Sequence, residues 1–210
     1  MDKSSKPKHI VISGNIGAGK TTLTEKLGNH FGWEINFEST DDNPYLEDFY
    51  NDMSRWSFNL QVYFLNSRYN QILKIKSGDN TVIQDRSMYE DAYIFAPNLH
   101  HMGHMSARDF KNFFQLFSLM NSQITPPDLM VYLKASVPTL VKHIQKRGRA
   151  YENSMSLNYL QLLNERYDEW IEGYDAGKLL VINSDNLDFV HNEKDWEFIV
   201  NEIKTALNQK

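Results

Sequence analysis

The chain contains no cysteine, and this absence is the first limit on what the protein can do. None of its 210 residues can form a disulfide, a zinc–thiolate site or a thiol nucleophile. The lack of cysteine fits a reducing compartment, and we therefore expect a cytoplasmic protein. Long apolar runs are also missing: none approaches the ~20 residues that a membrane-spanning helix needs, so no membrane association is expected.

Positive charge is also in short supply. The 22 lysines and arginines are outnumbered by 27 aspartates and glutamates, which gives a formal net charge of −5 and a sequence pI of about 5.8. This balance argues against a nucleic-acid polymer or an acidic membrane as a general partner, although it allows a local basic pocket.

No internal repeat, low-complexity tract or linker interrupts the chain, so we expect residues 1–210 to form one domain. Short apolar segments rich in β-branched and aromatic residues predict strands at 9–13, 33–38, 81–85, 128–134 and 178–184. Helices are predicted at about 19–31, 54–77, 88–100, 106–123, 136–147, 156–173 and 193–208. This alternation predicts an α/β fold with a five-stranded parallel sheet flanked by helices, in which ligands bind at the carboxyl ends of the strands.

A glycine-rich stretch, VISGNIGAGKTTL, connects the first predicted strand to the first predicted helix. Gly14, Gly19, Lys20 and Thr21 match the spacing G-x-x-x-x-G-K-[ST]. In that pattern backbone N–H groups surround phosphate oxygens, the lysine adds charge, and the hydroxyl suits Mg²⁺. The residues predicted to hold a nucleotide's phosphates are Gly14, Asn15, Ile16, Gly17, Ala18, Gly19, Lys20, Thr21 and Thr22.

Ionisable residues end the second and third predicted strands. Glu38 ends the second, and Asp85 and Arg86 end the third, so all three are expected on the same edge as the phosphate loop. A carboxylate there can accept a proton from an attacking hydroxyl or hold Mg²⁺, and an arginine can neutralise a moving phosphoryl group. Each residue alone would be interpreted as a helix cap or a surface ion pair; three together favour a site.

A basic segment, HIQKRGRAYE, follows the fourth predicted strand. Lys142, Lys146, Arg147 and Arg149 lie in or beside it, and Gly148 separates the two arginines. A helix C-terminus favours cations through its dipole, which explains one or two of these charges. The R-G-R spacing fits better a lid that closes over phosphates and excludes water.

The long aromatic-rich helix predicted at about 54–77 carries two polar residues spaced two turns apart, Gln61 and Arg68. With Asp91 and Phe95 from the next helix they would make a pocket for a nucleobase, and Tyr50 could close the sugar side. From spacing alone, a solvent-facing Gln61 and a surface ion pair for Arg68 are at least as good an interpretation.

Taken together, these motifs resemble those of the deoxyribonucleoside kinases. The resemblance rests on G-N-I-G-A-G-K-T-T, the strand-end Glu38, F-x-x-D-x-x-R-W-x-x-x-L-Q, D-R-S and R-G-R-x-x-E. The stretches DDNPYLEDFY and LQVYFLNSR are most similar to the bacterial deoxyadenosine/deoxyguanosine kinase branch, and the likeness runs from His9 to about Leu207. It implies a P-loop kinase fold with an arginine-bearing lid, ATP as phosphate donor, Mg²⁺, and a homodimer packed through helices.

The resemblance implies transfer of a phosphoryl group from ATP to the 5′-hydroxyl of a deoxyribonucleoside, as in nucleotide salvage. Glu38 would accept the hydroxyl proton, Arg86 would bind near that hydroxyl and the moving phosphate, and Asp85 and Thr21 would serve Mg²⁺. The residues expected in catalysis are Glu38, Arg86, Lys20, Arg147 and Arg149.

The same resemblance assigns substrate contacts. Tyr50 and Glu152 would hold the 3′-hydroxyl, and Gln61 would bind the base with Arg68 and Asp91 behind it. We expect deoxyadenosine as the preferred substrate, deoxycytidine or deoxyguanosine next, and thymidine as a poor one. The substrate-binding residues are thus Glu38, Tyr50, Gln61, Arg68, Arg86, Asp91, Phe95 and Glu152.

Other assignments have less direct support. Asp188 and Phe189, in NLDF, would lie near the donor's adenine. Many relatives have E-R-S where this chain has D-R-S, which makes a direct metal role for Asp85 less secure. Many also carry a tryptophan shortly after the strand-end glutamate, where this chain has STDDNP (39–44), so one wall of the base pocket is undefined.

Three other classes share parts of the pattern. A signalling GTPase would need an N-K-x-D motif, which the chain lacks. A nucleoside-monophosphate kinase would need basic groups for the acceptor's phosphate, whereas the segment from Asp41 to Asp52 is acidic. A non-catalytic assembly protein would be free to lose Lys20, Glu38 or Arg86, and all three are present.

Overall fold

A computed structural model of the chain describes residues 9–38, 43–149, 152 and 155–208. The strands are β1 (His9–Gly14), β2 (Glu34–Asn36), β3 (Val82–Asp85), β4 (Leu129–Lys134) and β5 (Leu179–Asn183). The helices are α1 (Lys20–Phe31), α2 (Leu46–Asn51), α3 (Met53–Ser77), α4 (Met88–Glu90), α5 (Ala96–His101), α6 (Ala107–Asn121), α7 (Val137–Arg147), α8 (Leu157–Glu172) and α9 (Glu193–Asn208), and a π-helical turn (Asp91–Phe95) joins α4 to α5.

The strands form one sheet in the order β2-β3-β1-β4-β5, and every neighbouring pair is parallel. Strands β1 and β3 are fully buried, as is all of β4 except its last residue. Strands are buried in this way where helices cover both faces of a parallel sheet. The predicted α/β fold with a five-stranded parallel sheet is confirmed.

Each face of the sheet has its own apolar core. On one face, Val11, Met130 and Tyr132 pack in a cluster with buried residues of α3, the π-helical turn and α8. On the other face, Ile10, Ile12 and neighbouring strand residues pack with buried residues of α1 and α9. The two layers fix the carboxyl edge of the sheet relative to α1, α3 and α8, and the candidate site lies at that edge.

The structure refines two of the predicted elements. Strand β2 is shorter than the predicted 33–38, because its pairing with β3 ends where Asn36 meets Gln84. Glu38 therefore lies two residues beyond the strand. The helix predicted at 88–100 contains a π-helical turn at Asp91–Phe95, a form that often occurs at functional sites.

Within the described part of the chain, no helix combines the length and the apolar character needed to cross a bilayer.

Candidate active site

A cleft of about 340 Å³ opens at the carboxyl edge of the sheet. Phosphate-loop, strand-end and lid residues line one part of it: Ile16, Gly17, Lys20, Thr21, Glu38, Asp85, Arg86, Arg147, Arg149 and Glu152. Aromatic, aliphatic and polar residues of the helices line most of the rest: Leu46, Phe49, Tyr50, Leu60, Gln61, Phe64, Arg68, Asp91, Phe95 and Tyr159. Glu25, on α1, and Phe37, just after β2, complete the lining. The structure thus brings both halves of the predicted site into one cavity.

The phosphate loop takes a backbone form that needs glycine. Gly17 and Gly19 have φ of 85° and 93°, which side chains rarely adopt. A Cβ on Gly17 would also lie 2.7 Å from the Leu140 carbonyl oxygen and 2.9 Å from Ile144. Since both of these residues belong to α7, this helix packs directly against the loop.

Lys20 is buried at the floor of the cleft, where its Nζ donates a hydrogen bond to the Asn15 carbonyl at 3.0 Å. Burial, aided by Arg86, lowers the pKa of Lys20 to about 8. The Asn15 side chain donates to Leu160 O and Asn164 Oδ1, both at 3.1 Å, so α8 holds the start of the loop. The ammonium group is therefore fixed beside the phosphate position.

Thr21 and Asp85 meet at the same edge. The Thr21 hydroxyl donates to Asp85 Oδ2 at 2.5 Å, and Asp85 Oδ1 is buried without a hydrogen-bond partner among the described residues. Burial raises the pKa of Asp85, while Lys20 opposes that shift. An unpartnered carboxylate oxygen next to a hydroxyl fits a hard cation that prefers oxygen ligands.

Arg86 is the most constrained side chain of the site. It has φ of 69°, and its backbone N–H donates to the Ile12 carbonyl at 2.9 Å. Its Nη1 donates to the Tyr167 hydroxyl at 2.7 Å, and Glu90 Oε1 lies 3.3 Å away. Its guanidinium carbon lies 4.7 Å from the centre of the Phe95 ring. These contacts fix Arg86 before any substrate binds.

Glu38 is held by two arginines. Arg86 Nε lies 3.1 Å from Glu38 Oε1, and Arg68 Nη2 donates to the same oxygen. Burial alone would raise the pKa of Glu38, but Arg86 and Arg68 outweigh it and hold the pKa below its usual value. Among the described residues none donates to Oε2, so this oxygen is available to accept a proton from a ligand.

Arg68 and Asp91 form the buried polar wall behind the cleft. Arg68 Nη1 donates to both carboxylate oxygens of Asp91, and the two side chains are 4% and 1% exposed. Burial raises the pKa of Asp91 to about 7, while Arg68 opposes that shift. Gln61 is also buried, and its Oε1 has no hydrogen-bond partner among the described residues. The interpretation of Gln61 and Arg68 as surface residues is thus wrong.

Arg147 and Arg149, the two arginines predicted to form a lid, line the cleft together with Glu152. Arg147 donates to Glu152 through Nε at 3.2 Å and through Nη2 at 2.5 Å, and Arg149 Nη1 lies 4.0 Å from the same carboxylate. The residue expected at the sugar hydroxyl and the arginines expected at the phosphates are thus in contact.

Several predicted site residues are not among those that line the cleft: Gly14, Asn15, Ala18, Gly19 and Thr22 of the phosphate loop, and Asp188 and Phe189. Asp188 is exposed and bonds His191 on its own turn. Phe189 is buried behind the loop, where a Cβ on Gly19 would lie 3.4 Å from its ring. In the stretch STDDNP (39–44), where many relatives carry a tryptophan, residues 39–42 lie outside the described residues.

Sequence reasoning missed the two residues that clamp Arg86. Glu90 is fully buried. Its carboxylate accepts hydrogen bonds from the Ser87 backbone N–H at 2.7 Å and from the Tyr167 hydroxyl at 2.8 Å. The S-x-x-E spacing of Ser87 and Glu90 is a capping box that the sequence does contain. No local pattern marks Tyr167, because it reaches the site from α8.

Comparison with known proteins fits this geometry. The sequence model of the deoxynucleoside kinase family matches residues 10–208. A deoxyadenosine/deoxycytidine kinase of Bacillus subtilis is 37% identical over 96% of this chain and 94% of its own length. A deoxyguanosine kinase of Lactobacillus acidophilus is 38% identical over 95% of this chain and 91% of its own length.

Solved structures agree with these sequence matches. The deoxyadenosine kinase from M. mycoides with bound dATP superimposes with a TM-score of 0.82 at 28% identity, over 93% of this chain and 99% of that one. The fold is therefore that of a P-loop kinase, and the chain is a phosphotransferase. With a family match across nearly its whole length, the chain belongs to the deoxynucleoside kinase family.

Proposed function

We propose that this protein transfers the terminal phosphoryl group of ATP to the 5′-hydroxyl of a deoxyribonucleoside, with deoxyadenosine preferred and deoxycytidine or deoxyguanosine next. The observation that carries the proposal is the cleft itself. Gln61, Arg68 and Asp91 line it together with the ionised Glu38, Arg86 and the phosphate loop. One cavity thus offers contacts for a base, a hydroxyl and a chain of phosphates.

The chain's own residues divide the work of transfer. Glu38 Oε2 accepts the 5′-hydroxyl proton, while its Oε1 stays on the two arginines. Arg86, already fixed by Tyr167 and Glu90, neutralises charge on the phosphoryl group as it moves. Lys20 holds the donor's phosphates, and Arg147 and Arg149 close over them.

Thr21 and Asp85 would hold Mg²⁺. The unpartnered Asp85 Oδ1 and the adjacent hydroxyl are oxygen ligands of the kind the ion takes, with the remaining positions left to phosphates and water. In the described residues no cluster of three or more histidine, aspartate or glutamate side chains offers a competing metal site. When bound, the ion would shield the phosphate charges during transfer.

The sugar and base contacts support the substrate preference. Tyr50 and Glu152 line the cleft where a 3′-hydroxyl would be held. The unpartnered Gln61 Oε1 accepts from the amino group of adenine or cytosine, and its amide donates to the adjacent ring nitrogen. The methyl group of thymine would crowd the buried Arg68–Asp91 pair, which is costly to disturb.

Phosphate transfer from radiolabelled ATP to the four deoxyribonucleosides and their monophosphates tests the proposal. We expect deoxyadenosine to give the highest kcat/KM, thymidine the lowest of the nucleosides, and monophosphates no product. Transfer to a monophosphate instead would favour the nucleoside-monophosphate kinase interpretation. No transfer to any of them would favour the non-catalytic one.

The proposal includes the setting of the enzyme. Residues 1–210 act as one kinase domain in the cytoplasm, without a nucleic-acid polymer as partner, as the family match and the acidic charge support. The enzyme is a homodimer, which the exposed aromatic residues Tyr93 and Phe114 support. Light scattering should give twice the chain mass of 24.6 kDa.

A further inference from the structure

The segment that carries Glu38 lacks the support that the other strand-end residues have. Asp85 ends β3 and the Arg86 N–H bonds to β1, so both are anchored in the middle of the sheet. The ladder of β2 stops at Asn36, and Phe37, the next residue, is 44% exposed. Something other than the sheet must fix the backbone just before Glu38.

Gln71, on α3, supplies that support. Its Nε2 donates to the Phe37 carbonyl at 3.1 Å. Gln71 lies one turn after Arg68, which binds the carboxylate of Glu38. One face of α3 thus holds both the side chain of Glu38 and the backbone immediately before it.

The Gln71 amide is itself oriented from the core. Its Oε1 accepts from Gln84 Nε2 at 3.0 Å, and Gln84 Oε1 lies 2.8 Å from His9 Nε2. Gln84 is 0% exposed and His9 is 8% exposed, so the chain of bonds begins inside the sheet. It ends at the Phe37 carbonyl, at the mouth of the cleft.

The direction of every bond in this chain is determined. The Phe37 carbonyl can only accept, so Gln71 must present its NH₂ group there and its oxygen to Gln84. Gln84 must then present its own NH₂ group to Gln71 and its oxygen to His9. His9 must therefore carry a proton on Nε2. Burial lowers the pKa of His9, which keeps the ring neutral and allows a single tautomer.

We propose that Gln71 is a positioning residue for Glu38, and that the buried pair His9 and Gln84 sets the direction in which its amide points. This inference rests on the proposed role of Glu38 as the base. Gln71 touches no reacting atom in this account. It acts by holding the Phe37 backbone so that the Glu38 carboxylate stays on Arg68 and Arg86 at the position of the 5′-hydroxyl.

Two substitutions of Gln71 test the proposal. Gln71→Met removes the donor without adding charge, and Gln71→Glu keeps an acceptor for Gln84 but cannot donate to Phe37. Because small displacements of a reacting group are costly, we expect each to lower kcat about tenfold while the KM values for ATP and deoxyadenosine change less than about twofold. Asn70→Leu is the matched control, since Asn70 is exposed on the same turn and bonds only its own helix.

A double-mutant cycle that combines Gln71→Met with Glu38→Gln separates the positioning role of Gln71 from the proposed role of Glu38 as the base. Gln71→Met should cause no further loss of kcat once Glu38 is replaced, because no base is left to position. A full additional loss would overturn the positioning role and leave the base assignment standing. Near-normal kcat for Glu38→Gln alone would instead overturn the base assignment.

Three other results would also overturn the positioning role. The first is unchanged kcat in both Gln71 variants, and the second is a loss confined to Gln71→Glu, which would indicate a charge effect. The third is an Nδ1-protonated His9 in the ¹⁵N NMR spectrum, which breaks the chain of donors. If Gln71→Met does not fold, as thermal unfolding would reveal, the uncharged Gln71→Leu takes its place in each comparison.

Discussion

The two halves of the cleft are built in different ways. In the proposed function the donor half is built mainly from contiguous residues, Gly14 to Thr22, whose backbone geometry is set by glycine, and Arg147 and Arg149 are added to it from the end of α7 and just beyond. The acceptor half is assembled from side chains on separate elements: Glu38 follows β2, Gln61 and Arg68 lie on α3, and Asp91 begins the π-helical turn. The donor half is local, whereas the acceptor half exists only once the core has packed.

This difference governs how substitutions should spread. A change in the phosphate loop acts mainly on the loop. In the acceptor half one side chain serves two functions, because Arg68 pairs with both Asp91 and Glu38. A substitution aimed at base selection therefore also disturbs the proposed base, and kcat alone will not separate the two effects.

The largest effect is expected from the acceptor half, at Glu38. Glu38→Gln keeps the shape of the side chain but cannot take the proton, and a positioned base contributes about 10²–10⁴-fold to rate. We expect kcat to fall by that amount, with a smaller change in the KM for deoxyadenosine. Glu34→Gln, at the exposed first residue of β2, is the control. Near-normal turnover in Glu38→Gln would exclude a general-base role.

The lid provides the corresponding experiment for the donor half. Arg147→Ala should lower kcat by about 10²-fold, the cost of losing one group that stabilises transition-state charge. The KM for ATP should change less, because that charge develops only during transfer. Lys146→Ala, the preceding exposed position on α7, is the matched control. A raised KM for ATP with unchanged kcat would make Arg147 a ground-state contact.

Sequence alone predicted the strand, the glycine-rich loop and the helix at one end of the cleft. The G-x-x-x-x-G-K-T spacing, the strand before it and the helix after it all follow from local pattern, and each was found. Asp188 and Phe189, expected near the donor's adenine, do not line the cleft. Fold class could be predicted for the same reason, since buried parallel strands are short apolar runs. The shortened β2 could not, because strand length depends on pairing with β3.

The acceptor half was only partly predictable. Spacing placed Gln61 and Arg68 on one helix face but left open whether that face was buried. The contact of Arg68 with Glu38, and the bond from Arg86 to the Tyr167 hydroxyl, join residues 30 and 81 positions apart. Contacts of this range leave no local periodicity, so only the folded structure reveals them.

Base selection offers the next largest effect. Asp91→Ala alone leaves Arg68 buried with Glu38 as its one remaining ion-pair partner in the described residues, and should lower kcat/KM for every nucleoside. Arg68→Met with Asp91→Ala removes both charges, opens space for a methyl group and loosens Glu38. We therefore expect lower kcat overall but a higher thymidine-to-deoxyadenosine ratio of kcat/KM, by about tenfold.

The ratio cancels the shared loss at Glu38, which makes it the informative quantity. An unmoved ratio in the double variant would show that Arg68 and Asp91 do not select the base, as would a native enzyme that already prefers thymidine.

The next prediction concerns the donor half, where protonation of Lys20 should be linked to ATP binding. The pKa of Lys20 is lowered to about 8, so its ammonium is lost in the free protein above that pH. ATP binding at pH 9 should then take up about one proton, and affinity should fall up to about tenfold per pH unit above 8. Calorimetry in two buffers of different ionisation enthalpy measures this uptake. Lys20→Arg, which stays charged, should abolish it.

The same shift has a consequence for stability, with the opposite direction. Between pH 8 and the ordinary lysine value of 10.5 the folded state binds fewer protons at Lys20 than the unfolded chain. Its contribution to the free energy of unfolding therefore rises with pH across that window.

For the calorimetry, equal proton uptake on ATP binding by the native protein and by Lys20→Arg at pH 9 would rule out Lys20 as the linked group.

The smallest effect is expected at Tyr167, where the acceptor half depends on a residue of α8. Its hydroxyl donates to Glu90 and accepts from Arg86, so Tyr167→Phe leaves two buried side chains each short of one hydrogen bond. A bond of this kind contributes about 1 kcal/mol, which corresponds to about a fivefold fall in kcat if Arg86 moves from its position. Tyr174→Phe is the control, because that hydroxyl is buried without a hydrogen-bond partner among the described residues and its removal should leave kcat unchanged. A thermal unfolding midpoint that falls for Tyr167→Phe while kcat stays at the native value would show that the hydroxyl stabilises the fold without positioning Arg86. If kcat falls about equally in both variants, loss of a hydroxyl near α8 is enough, and the clamp on Arg86 is not the cause.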